Sequence, residues 1–254
     1  MKPTILSFPE VQSIVMCGDI HGGFVALVEK LRVTCGIHDA LVIVAGDCGF
    51  GFETPDYYEE IYHKILRHLQ TYNLWIVMIR GNHDNPDYFN GDKRITYERW
   101  QTVPDYTILQ ACSHSILCVG GAISIDRVMR MQWMNQSPDH ETYWQDESPV
   151  YKPSALEAIG EHGIKIDTVV SHTAPSFCES QTKWGLSSWC LKDSALWNNA
   201  MQERQTMDDI HAHLLRDKHP LKHWYYGHFH QSWNAQIDGI NYTLLHIMEL
   251  KELV

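Results

Sequence analysis

Short apolar runs rich in β-branched residues recur along the chain at 13–17, 40–45, 74–79, 116–119, 168–170 and 224–226, and each runs into a Gly or Ser beside a polar residue. Continuous apolar runs of this length, closed by turn residues, predict strands buried on both faces. Between the early ones lie one-sided helical patterns. Residues 24–35 carry apolar side chains at 24, 25, 27, 28 and 31, and residues 57–72 carry them at 58, 61, 62, 65, 66 and 69. Strand and helix therefore alternate as βαβαβ, the order of a mostly parallel sheet, in which ligands gather beyond the carboxyl ends of the strands. Further on, 153–162 and 193–216 read as helices, and 232–237 and 242–247 as paired strands around the turn Asp238-Gly239. Helices together with antiparallel strands imply a layered α/β sandwich. No linker or internal repeat divides the chain, so residues 1–254 are expected to form one domain.

Composition narrows the partners. With 254 residues and 44% hydrophobic content the chain can bury a substantial core, and its net charge of −11 repels an extended nucleic-acid backbone while leaving room for a small anion drawn to a local positive site. Oligomeric state is not legible. The seven cysteines include no closely spaced pair of the zinc-ribbon kind, and residues 1–13 are interrupted by Pro3, Pro9 and Glu10. Neither a signal peptide nor a membrane span is visible, so the expected setting is the cytoplasm, with reduced thiols acting mostly as small buried hydrophobes.

The chemistry is written at the strand ends. The 13–17 run leads into Gly18-Asp19-Ile20-His21-Gly22, the 40–45 run into Gly46-Asp47-Cys48-Gly49, and the 74–79 run into Arg80-Gly81-Asn82-His83-Asp84. The last two runs end in Ser171-His172 and Gly227-His228-Phe229-His230. Asp19 and His21, like His228 and His230, are two residues apart in short loops, so both members of a pair can turn to one centre, and the neighbouring glycines let the backbone pass close to an ion. Carboxylate, imidazole and amide oxygen are mixed, fairly hard donors suited to Mn²⁺, Fe or Zn²⁺. Two cations sharing one carboxylate need about seven protein ligands. The candidates are Asp19, His21, Asp47, Asn82, His172, His228 and His230.

Through these five motifs, in this order and over nearly its whole length, the chain resembles the calcineurin-like metallophosphoesterases, bacterial and phage members included. The resemblance implies an α/β fold of four αββα layers, two mixed β-sheets flanked by helices. It also implies two divalent metal ions, manganese first among the candidates. One would be held by Asp19, His21 and His230 and the other by Asn82, His172 and His228, with Asp47 bridging both. The activity implied is hydrolysis of a phosphomonoester or phosphodiester, with a small molecule or nucleotide as substrate, by attack of a metal-bridging hydroxide while His83 protonates the leaving alcohol. An unperturbed histidine pKa near 6.5 suits that role around neutrality.

Protein phosphatases of this family usually follow the second motif with an Asp and an Arg. Here the stretch reads Asp47-Cys48-Gly49-Phe50-Gly51-Phe52, which argues against that branch and leaves the orientation of His83 to Asp84, a backbone carbonyl or another group. A substitute phosphate grip is sought in residues 120–130, where Arg127 and Arg130 are candidates, with Arg80 as a third. Each has the alternative of an ordinary ion pair or loop anchor. Trp133, Trp144, Trp184, Trp189 and Trp197 fall in irregular segments, where they either wall a pocket for a flat leaving group or pack those segments onto the body. His63, His68, His211, His213, His219 and His223 lie on or at the ends of predicted helices and are expected on a solvated surface. Competing readings are a nuclease for short single strands, which the acidic composition disfavours, and a non-catalytic interaction scaffold, which would be expected to have lost ligands.

Overall fold

A computed structural model of the chain describes residues 2–137 and 141–253. A short strand β1 (Ile5–Ser7) precedes β2 (Ser13–Cys17), helix α1 (Phe24–Glu29), β3 (Ala40–Val44), α2 (Pro55–Thr71) and β4 (Leu74–Met78). Helix α1 continues as a wider π-helical turn over Lys30–Thr34. Helix α2 begins with Pro55, where a missing N–H costs nothing, and buries Tyr58, Ile61, Ile65 and Leu69 along one face. The alternation expected from the apolar runs is thus present.

The chain continues through β5 (Thr96–Tyr97), β6 (Trp100–Thr102), β7 (Ile108–Ala111), β8 (His114–Val119), α3 (Arg127–Gln136), α4 (Pro153–Glu161), β9 (Thr168–Ser171) and α5 (Leu186–Cys190). It ends with α6 (Leu196–Arg216), β10 (His223–Tyr226), β11 (Trp233–Ile237), β12 (Ile240–Leu244) and β13 (Leu250–Glu252). Two mixed sheets result. The first has the order β13-β2-β3-β4-β6-β5, parallel except for β13 and β5 at its edges. The second has the order β1-β7-β8-β9-β10-β12-β11, with antiparallel pairs at β7·β8 and β11·β12.

Alternating side chains explain why these strands are apolar on both faces. Val15, Cys17, Val42 and Val44 pack against Phe24, Leu27, Ile61 and Ile65 of α1 and α2. The intervening Ile14, Met16, Leu41 and Ile43 meet Leu109, Ile116, Cys118 and Val170 of the other sheet. On the far side of that sheet Leu117, Val169 and Trp224 cover Leu156, Ile159, Met207 and Ile210 of α4 and α6. Three apolar layers between four layers of secondary structure make the αββα sandwich, two mixed β-sheets flanked by helices, and burial on both faces requires the continuous apolar runs seen in the sequence.

Helix α3 buries none of its residues, so it carries no apolar stripe from which to read it in the sequence. One expectation needs correction. His213 and His219 are buried, 2% and 6% exposed, not solvated. The His213 ring pairs with the Tyr151 hydroxyl, and His219 Nδ1 accepts the Ile166 N–H, which lets two imidazoles sit in a core without stranded polar atoms. Among the described residues no helix is long and apolar enough to cross a membrane.

Candidate metal centre

The loops after β2, β3, β4, β9 and β10 meet at one edge of the two sheets. Their backbone is unusual. His21, Asp47, His228 and His230 all have positive φ, at 44°, 48°, 70° and 54°. A side chain in this region costs about 1–2 kcal/mol, and four of seven candidate ligands occupy it, so the fold spends conformational energy to aim these groups inward. Glycine makes the approach possible: a Cβ on Gly46 would stand 2.3 Å from His172 Nδ1, and one on Gly227 would stand 2.2 Å from Asp19 Oδ1.

All seven candidate ligands come together. Ligand atoms of Asp19, His21, Asp47 and His230 lie within 4.8 Å of one another, as do those of Asp47, His172 and His228, so Asp47 belongs to both groups. In the first group Asp19 Oδ2 is 3.1 Å from His230 Nε2, which is 3.2 Å from His21 Nε2. In the second, Asn82 Oδ1 lies 3.1 Å from His172 Nε2 and 2.9 Å from His228 Nδ1, and His172 Nε2 is 3.1 Å from Asp47 Oδ1. His172 Nδ1 is 2.7 Å from the Ala45 carbonyl, a bond that places a proton on Nδ1 and makes Nε2 the atom turned to the cluster.

These residues fit a pair of divalent cations. Asp47 Oδ1 accepts the His83 N–H at 2.8 Å, but Asp47 Oδ2 is buried with no donor. An unpartnered buried carboxylate oxygen is costly unless a cation meets it. Burial opposes ionisation of Asp47, yet the positive fields of His172 and His83 outweigh it and hold the carboxyl well below its ordinary range. Cys17 and Cys48, next in sequence to the motifs, point into the helix-side core, and burial pushes both thiols up.

His83 faces the same edge, its ring 5.5 Å from that of His21. Burial, opposed by Asp47 but reinforced by Arg130 and Lys183, pushes it down to about 4, well below the ordinary value on which its expected role rested. A neutral imidazole at pH 7 follows, and a phosphate dianion beside it is what would restore its proton. Asp84 does not orient it. Its carboxylate is fully buried and accepts backbone N–H groups of Gly49, Gly81, Phe50 and Cys48 at 2.7, 2.8, 2.9 and 3.0 Å. Arg130 Nη2 instead reaches the His83 ring, 3.0 Å from Nδ1, while its Nε is held by Asp126 at 2.8 Å.

The structure does not bring the other two arginines to the cluster. Arg80, 2% exposed, donates to the carbonyls of Asp146, Glu147 and Ser148 and pairs with Asp105, so it anchors a loop. Arg127 is held by Asp193 at 2.6 Å and by Asn199. The sequence reading missed Lys183, which shares a small cavity wall with His228 and has no carboxylate partner among the described residues. It lies on an irregular stretch with no motif around it.

Ser124 and Glu147 were missed as well. Asn82 Nδ2 donates to Ser124 Oγ at 2.9 Å, which turns Asn82 Oδ1 toward the two histidines, and Ser124 Oγ and N donate to Glu147 at 2.6 and 2.9 Å. Glu147 is 1% exposed, and burial pushes its carboxyl up to about 8, against the hydrogen bonds from Ser124. The folded chain then keeps a proton that the unfolded chain releases near 4.5. Folding therefore binds a proton between these values, and stability should fall with rising pH in that window, by up to about 1.4 kcal/mol per pH unit. Glu147→Gln should flatten this slope. Urea unfolding at intervals from pH 5 to 8 checks it, and identical slopes in variant and parent would contradict it.

Fold and site together define a layered α/β sandwich with a two-centre cluster of oxygen and nitrogen donors at the strand ends. The family model for calcineurin-like phosphoesterases matches residues 13–232, and the chain belongs to that family of metal-dependent phosphoesterases. Among solved structures, TT1561 of Thermus thermophilus is similar, with 13% identity, a TM-score of 0.50, and coverage of 95% of this chain and 98% of that one. The phosphopantetheinyl hydrolase of Mycobacterium tuberculosis is similar at 13% identity and a TM-score of 0.41, over 94% of this chain and 90% of that one. No curated protein matches at a significant level.

Proposed function

We propose that the chain is a dinuclear metal-dependent phosphoesterase for a small phosphate ester, folded as one domain and working in a reducing compartment such as the cytoplasm. The observation that carries this reading is the Asp47 carboxylate, common to both donor groups and with one oxygen buried and unpartnered. Asp19, His21 and His230 would hold one ion and Asn82, His172 and His228 the other. Mn²⁺ is the first choice for a mixed oxygen and nitrogen donor set without thiolate. Bound there, two divalent cations lower the pKa of the attacking water and neutralise charge developing on the phosphoryl oxygens.

The chain's own residues supply the remainder. Arg130 beside His83, and Lys183 beside His228, add positive charge where a terminal phosphate would lie, which favours a dianionic monoester over a monoanionic diester. That dianion raises the proton affinity of the His83 imidazole, and His83 delivers the proton to the departing alkoxide. His83→Ala should lower kcat about 10²–10⁴-fold for alkyl phosphates and far less for 4-nitrophenyl phosphate, whose leaving group needs no proton. The assay is turnover of aryl phosphate mono- and diesters by the purified chain, with and without Mn²⁺. Absence of metal-stimulated turnover on both would overturn the proposal.

A further inference from the structure

A cavity of about 360 Å³ opens beside the cluster, with His21 and His83 in its lining. Its position relative to His83 assigns its use, given the proposed function. The oxygen protonated by His83 belongs to the leaving alcohol, so the body of that alcohol must extend into the space that His83 borders.

The other walls describe what fits. Gly22 and Gly49 present bare backbone, and a Cβ at Gly22 would meet nothing within 4 Å. Phe52 and Tyr57 contribute aromatic side chains to the same lining. Phe52 is 36% exposed, so part of its side chain is open to a ligand in the cavity. It is held in place rather than free to lie down: Trp144 packs against it edge-on, with centroids 5.4 Å apart. Trp144 is itself 7% exposed, with its indole N–H on Glu141 at 3.2 Å, and it fills the space above Gly51, where a Cβ would come within 2.9 Å of the indole. Of the five tryptophans singled out in the sequence, this one therefore buttresses the wall, while phenylalanine and tyrosine form it. The sole carboxylate in the lining is Glu53, exposed and without a cationic partner among the described residues. It repels a second anionic group and accepts hydrogen bonds from N–H or O–H donors.

From the bordering histidines, the two aromatic walls and the lone carboxylate we infer that this cavity is the leaving-group site, and that it selects phosphate esters of an uncharged alcohol bearing a flat, hydrogen-bond-donating ring, a nucleoside being the type. Leaving groups with a second phosphate or carboxylate are excluded by Glu53, and small aliphatic alcohols leave the rings uncovered.

The test compares adenosine 5′-phosphate with glycerol 3-phosphate, both esters of primary alcohols, in the Mn²⁺-supplemented full chain. The expected kcat/KM ratio favours the nucleotide at least tenfold, in line with base–aromatic stacking. Phe52→Ala and Tyr57→Ala should each lower that ratio at least fivefold, through KM for the nucleotide. Glu53→Lys should raise kcat/KM for an ester carrying a second phosphate at least fivefold. Adenosine alone should quench tryptophan fluorescence of the parent, through Trp144 behind Phe52, at concentrations at least fivefold below those needed with Phe52→Ala. A parent ratio near one, or equal losses on both esters in the Phe52 and Tyr57 variants, overturns the inference. Absence of turnover on both esters counts against the proposed function instead, and the adenosine titration then decides the cavity by itself: no quench, or the same quench in Phe52→Ala, overturns it.

Discussion

Asp47→Asn is expected to abolish turnover while leaving the chain folded. The Asp47 side chain is shared by both donor groups, with Oδ1 on the His83 N–H and Oδ2 free inside the protein. An amide keeps the shape and can still accept that N–H, so the loop should hold its course. It cannot offer two anionic oxygens to two cations, and no other carboxylate among the described residues belongs to both groups. Removing a single electrostatic stabiliser from an active site costs about 10²–10³-fold, and a shared ligand should cost at least the upper figure in kcat. Stability should fall without metal, because the amide cannot replace the buried anion that pairs with His172 at 3.1 Å. The checks are kcat with saturating Mn²⁺ and metal content by atomic emission. Parental activity in a variant that retains two ions would reject Asp47 as the bridge.

Asp84→Asn is expected to damage the fold more than a one-atom change suggests. Asp84 is fully buried, and each of its carboxylate oxygens accepts two backbone N–H groups: Oδ1 those of Gly49 and Phe50, and Oδ2 those of Cys48 and Gly81. These bonds tie the loop carrying Asp47 to the loop carrying Asn82 and His83. An asparagine can present an oxygen to only one of the two N–H pairs, and whichever way the amide turns, its NH₂ confronts the other. Two donors then lose their acceptor at about 1–3 kcal/mol each, so the variant should lose about 2–6 kcal/mol of stability. Burial and the nearby Asp47 charge push the Asp84 carboxyl up to about 7, so its four donors work against a real tendency to protonate. Urea unfolding measures the loss, and a change below about 1 kcal/mol would show that the loops are held by something else. Activity should fall with the loop order, and added Mn²⁺ should recover part of it by tying Asp47 and Asn82 together again.

The two variants expose different kinds of legibility. Asp47 stands at the end of an apolar run in a short glycine-flanked motif, so both its place and its chemistry could be named from the sequence. Asp84 belongs to an equally visible motif, yet the sequence left open whether it orients His83, because three of the four donors to its buried carboxylate lie 34 to 36 residues away on another loop. The same distance hides Ser124 and Glu147, which set the Asn82 amide from 42 and 65 positions along the chain. Short strands such as β5 and β6, of two and three residues, are too brief to show a period, and α3 lacks an apolar stripe.

What the sequence alone determined is the part that depends on local pattern. Buried strands must be apolar on both faces, helices covering a sheet must be apolar on one, and loops that bring ligands close to an ion need donors beside glycine. A layered α/β sandwich and the identity of the candidate donors follow from such runs, and the five motifs at the strand ends carry the family resemblance that implies the αββα layering. Tertiary structure alone decided which arginine reaches His83, how far burial and neighbouring cations push that histidine's proton affinity down, and which aromatic rings border the cluster. Field strength and contact depend on through-space distance between distant segments, and no local pattern encodes it.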